Sequence, residues 1–113
     1  MTTNLSQEHK QRFVEIKNSL AELGYREAAF IRVELLFFEV LTISRNYGTE
    51  EEQNGLLSAL KNLQAYEYAA TSANFAKALQ RERAIRRFVN GFKIVLTKAS
   101  KNLFLQPNAN AML

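Results

Sequence analysis

The chain has no cysteine, one proline, four glycines and a single histidine among its 113 residues. Without cysteine there is no disulfide, no thiolate zinc site and no cysteine nucleophile, and thiol usage gives no indication of compartment. So little glycine and proline excludes a loop-rich or disordered chain. Gly24, Gly48, Gly55 and Gly91 stand far apart, so no glycine-rich phosphate loop exists. A di-iron bundle needs Glu-x-x-His on two helices, and one histidine cannot supply it. That histidine, His9, lies too near a fraying end to serve as the oriented base of a nucleophilic triad and reads as a solvated first-turn residue. Long hydrophobic runs are also missing. The most apolar stretch, 28–43, carries Arg32, Glu34 and Glu39, each costing roughly 2.5 to 3.5 kcal/mol near a bilayer centre. It reads as a core helix. The polar start lacks the apolar run of a secretory signal, so a cytoplasmic protein is expected.

What is present favours helices. With 47% hydrophobic and 23% charged residues, the composition is that of one ordinary globular domain. Phe13, Ile16, Leu20 and Leu23 recur at steps of three and four, the spacing of one apolar helical stripe. Asn4 or Ser6 can cap that helix and Gly24 can end it. Thr49 followed by three glutamates reads as a capping box, with Glu52 at the third helical position and the carboxylates at the positive end of the helix dipole. From Leu56 to Asn90 there is neither Gly nor Pro. One helix from Thr49 to Leu103 would nevertheless be about 80 Å long, so a turn is placed near Thr71-Ser72-Ala73-Asn74. The expected fold is therefore all-α, an antiparallel up-and-down four-helix bundle with helices over about 5–23, 25–46, 50–71 and 74–103. The domain spans residues 1–106, and 107–113 is expected to be a flexible carboxyl-terminal tail.

Two surfaces stand out. Residues 1–76 hold seven basic and ten acidic side chains, a net of −3, whereas 77–113 hold eight basic and one acidic, a net of +7. At 100° per residue, Arg83, Arg86, Arg87, Lys93, Lys98 and Lys101 fall within an arc of about 140°. That arc lies opposite Ile85, Phe88, Phe92, Leu96 and Leu103. A cationic stripe of this kind suits a phosphate backbone, because each neutralised phosphate releases a counterion. Phe88 and Phe92 point inward, so no aromatic interrupts the stripe and a single-strand stacking platform is not expected. A competing reading has the stripe solvated, or neutralised by Glu15, Glu22 or Glu50 to Glu52.

The second surface is on the second helix. Ala29, Phe30, Val33, Leu36, Phe37, Val40, Leu41 and Ile43 already cover about 160°, enough to face a core. Ile31, Leu35 and Phe38 form a separate strip, with Glu34 on one side and Arg32 and Glu39 on the other. The strip is expected to mediate self-association or to receive a partner helix, unless the fourth helix lies over it. Leu20, Gly24 and Phe30 sit near the spacing of a helix-turn-helix, but the would-be recognition helix is too apolar to read a groove. Glu34, among apolar neighbours, could have a raised pKa, yet pairing with an arginine or escape to the rim is favoured over catalysis. The sequence thus points to a non-enzymatic accessory protein, oligomeric through Ile31, Leu35, Phe38 and Glu34. Its basic last helix would contact nucleic acid or another polyanion, or else an acidic protein surface. No metal, cofactor, small-molecule substrate or membrane is expected.

Overall fold

The computed structural model describes residues 6–70 and 77–100. Among these residues run four α-helices: α1 (Gln7–Leu23), α2 (Phe30–Tyr47), α3 (Glu50–Ala70) and α4 (Lys77–Ser100), with a 3-10 turn at Glu27–Ala29. None of them is long and apolar enough to cross a membrane. The turn expected at Thr71 to Asn74, Lys101, Leu103 and the tail at 107–113 lie outside the described residues.

Local chemistry sets the helix ends. Ser6 caps α1: its hydroxyl accepts from the His9 N–H at 3.1 Å, and its own N–H donates to His9 Nδ1 at 3.4 Å. His9 therefore takes the part that a glutamate or glutamine usually plays in a capping box. Its ring also lies 4.8 Å from that of Tyr47, so it is a half-buried capping residue and not the solvated one expected from sequence. Gly24 ends α1 with φ 65°, a conformation that costs other L-residues energy. The capping box before α3 forms as its sequence predicts, with Glu52 N–H donating to Thr49 Oγ1 at 3.2 Å and Thr49 N–H to Glu52 Oε2 at 3.3 Å.

The second helix begins at Phe30, later than the expected residue 25. Arg26 is extended, with φ −70° and ψ 131°. Tyr25 is turned aside and donates its hydroxyl to Asn90 Oδ1 of α4 at 2.6 Å. Periodicity carries the apolar pattern through this connection, but the backbone leaves the helix to make that cross-bundle contact.

The contacts at the two ends of the bundle give the up-and-down order. Arg12 of α1 grips Glu39 of α2 with two bonds of 2.6 and 2.8 Å, which holds the Glu39 carboxyl below its ordinary pKa. Gln53 near the start of α3 donates to Ser44 O near the end of α2 at 3.0 Å. Tyr66, late in α3, packs its ring 4.4 Å from Phe30 at the start of α2. Lys98 of α4 comes back to Glu51 at the start of α3. Sequential helices are thus antiparallel, and α2 and α4 lie across the bundle from each other. They meet through phenylalanine rings: Phe37 stands edge-on to Phe88 at 4.9 Å and to Phe92 at 5.3 Å, and Phe30 to Phe88 at 5.5 Å. Edge-to-face pairs of this kind add to the burial of the rings themselves.

Around this cluster Phe13, Ile16, Leu20, Leu56, Leu63, Ile85 and Leu96 are almost wholly buried. α4 crowds α3 at Gly55, where a Cβ would sit 2.8 Å from Val95 Cγ2. At Gly91 a Cβ would meet Ala59 at an ordinary 4.0 Å.

Candidate nucleic-acid interface

The inner side of α4 is fixed by the buried Ile85, Phe88, Val89, Phe92 and Leu96. The helix can therefore not roll, and its opposite side must face solvent. Arg83, Arg86, Arg87 and Lys98 are exposed there, and Lys93 is half-buried. From Arg83 to Lys98 the ridge extends about 22 Å at 1.5 Å per residue. The five described cations share one side of one helix, as their spacing predicts.

Their side chains nevertheless divide between two flanks. On the flank toward α1, Tyr25 lies between two cations, with the Arg86 guanidinium carbon 4.8 Å and Lys93 Nζ 5.3 Å from its ring centre. The Tyr25 hydroxyl is tied to Asn90 on the same ridge, so the ring is a fixed post that limits where both cations can point. On the flank toward α3, Arg83 and Arg87 line a groove of 340 Å³ with Asn62, Tyr68 and Gln80. Phe88 and Phe92 point inward as expected and do not interrupt the stripe, but aromatics from elsewhere in the chain flank it. Tyr25 and Tyr68 border it, each supplied by another part of the chain. For Tyr68 a signal was available: it sits about 140° from Leu63 around α3, off the apolar stripe. For Tyr25 there was none, because the sequence places it at the start of the second helix and only the fold brings it to α4.

Neutralisation within the chain is slight. Arg86 Nη2 lies 3.8 Å from Glu82 one turn away, and Lys98 Nζ lies 3.9 Å from Glu51. Both pairs are long and exposed, the kind that contributes little. Among the described residues no carboxylate comes within 4.0 Å of Arg83, Arg87 or Lys93. Glu15 instead lies near Arg12. Arg81, which faces away from the ridge, bonds Glu27 at 2.9 Å.

The strip on α2 is open. Ile31 and Leu35 are each 67% exposed and Phe38 45%. The possibility that α4 covers them fails because α4 lies against the opposite, inner side of α2. Glu34, beside the strip, has no arginine partner among the described residues. Burial and the charge of Glu67 on α3 raise its pKa.

The sign of that shift gives a test. A carboxyl whose folded pKa is raised contributes stability that is complete below its unfolded value, near 4.5, and lost as pH rises through the folded value. Glu34→Gln is therefore expected to stabilise the fold at pH 7, by less than about 1 kcal/mol because solvent screens a half-exposed group. Urea unfolding should show the gain at pH 7 and none at pH 3.5. An equal gain at both would mean that charge is not its source.

The remaining chemistry is sparse. No group of three or more His, Asp or Glu among the described residues could hold a metal ion. Tyr66 donates to Glu27 at 3.2 Å, and burial with the nearby Glu27 charge pushes its pKa up to about 12. At neutral pH it is a hydrogen-bond donor and no base. No family model matches the chain, and no characterised protein or solved structure is detectably similar to it.

Proposed function

We propose that this is a non-enzymatic, cytoplasmic accessory protein that lays the α4 ridge along nucleic acid or a comparable polyanion. The observation that carries the reading is the set of five cations on one solvent-facing side, three of them without a carboxylate neighbour among the described residues. Recognition would be of backbone and shape, because phosphate contacts position a protein without reporting base sequence. Tyr25 supports this reading by holding Arg86 and Lys93 in place before a ligand arrives, which lowers the entropy lost on binding.

Salt dependence is the test. If five phosphates are neutralised, affinity for a labelled duplex falls with a logarithmic slope near −4.5, about 500-fold between 50 and 200 mM salt. Titration by fluorescence anisotropy reads this directly. No binding at 50 mM, or binding indifferent to salt, would remove the reading.

One observation favours a second reading, an adaptor that docks on an acidic protein surface. Leu79 and Ile94 fall inside the cationic arc and are exposed, and apolar contacts of that kind suit a protein partner better than a phosphate backbone. A partner retained from lysate after nuclease treatment, with no duplex binding by the pure protein, would favour the adaptor.

A further inference from the structure

The outer side of α2 presents Ile31, Leu35 and Phe38 in a line, at steps of four and three. This is the spacing of a seam between two helices. The strip has a fixed shape, since the Phe38 ring rests edge-on against the buried Phe37 at 5.6 Å. Its bordering charges are not symmetric. Arg32 and Glu39 lie along one edge, one heptad apart, and Glu34 lies along the other.

That pattern matches itself better antiparallel than parallel. Laid antiparallel on a second copy with the two-fold axis at Leu35, Ile31 of each chain faces the partner's Phe38, and Leu35 faces the partner's Leu35. Arg32 then meets the partner's Glu39, and the symmetry makes this pair twice, as an isologous interface requires. On the other edge Glu34 comes near the partner's Glu34, one repulsive pair against two attractive ones, whereas a parallel arrangement would set Glu34 against the partner's Glu39 twice. Glu39 is already held in position by its two bonds from Arg12, so its carboxylate is oriented before the second chain arrives.

We infer that a second copy of this chain docks on α2, antiparallel about Leu35. Because α2 and α4 lie across the bundle, the dimer carries its two α4 ridges on opposite outer sides and can hold two polyanion segments at once. Only this last clause rests on the polyanion reading of α4.

Sedimentation equilibrium of the full chain is expected to give twice 12.9 kDa. Leu35→Glu should fall to the single-chain mass with unchanged helical circular dichroism. The absence of native cysteine makes cross-linking unambiguous. Oxidised Leu35→Cys should form covalent dimers, whereas Thr42→Cys should not, because antiparallel pairing sets Thr42 opposite the partner's Ala28. A concentration-independent monomer would overturn the dimer, and Thr42→Cys dimers forming as readily as Leu35→Cys dimers would overturn the antiparallel geometry. Leu35→Glu should still bind one short duplex per chain but no longer bring two duplexes together in an energy-transfer assay. If the unaltered dimer binds no duplex, the α4 reading falls and the α2 dimer stands.

Discussion

Phe37→Ala is expected to lower stability by about 3 to 5 kcal/mol, the cost of removing a buried aromatic ring and leaving its cavity. The ring is fully buried and stands edge-on to both Phe88 and Phe92 of α4, so two neighbouring rings lose contacts together. A domain of this size has only about 5 to 15 kcal/mol in total. The thermal midpoint should therefore fall by roughly 12 to 40 °C, at 4 to 8 °C per kcal/mol. Phe38→Ala supplies the contrast, one residue away but pointing outward. Compared in the monomeric Leu35→Glu background, where assembly does not contribute, it should cost less than about 1 kcal/mol. Calorimetry of the two variants checks the assignment of faces. Equal losses would mean that α2 is rotated from the orientation described.

Reversing Arg83, Arg86 and Arg87 to Glu together should weaken duplex binding by more than about 100-fold at 50 mM salt. Loss of three phosphate contacts at about 1 kcal/mol each already accounts for that factor, and three new negative charges add repulsion. The residual salt slope should drop from near −4.5 to no steeper than about −1.8, since only Lys93 and Lys98 remain of the ridge's described cations. Folding should be little changed, because none of the three side chains is buried and the one carboxylate contact among them, Arg86 with Glu82, is exposed and 3.8 Å long. Helical circular dichroism run beside the binding assay separates the two effects. A variant that stays folded and binds as before would show that the ridge does not hold the duplex.

Several features were legible in the chain itself. The capping box at Thr49 and Glu52 follows from residues three apart, and the inward faces of α1 and α4 follow from steps of three and four. Both are local: a helix fixes the relative direction of its own side chains wherever it lies. The concentration of positive charge after residue 76 needed only counting. For the same reason the cations of α4 could be assigned to one side before any neighbour was known.

What local pattern could not give was the neighbour. The α2 strip could have been core or surface, and the choice depended on whether α4 packed beside it or across the bundle. The phenylalanine contacts settle that α4 reaches only the inner side of α2. The tight contact of Gly55 with Val95 depends on the relative translation of α3 and α4, which no pattern within one helix reports. Tyr25 acquired its place between Arg86 and Lys93 through contacts more than sixty positions away in sequence. Sequence alone determined four helices, the inward faces of the first and last, and the cationic side of the last. Tertiary packing decided which apolar face stays uncovered and which aromatic stands among the cations, because burial is a relation between elements and periodicity is a property of one.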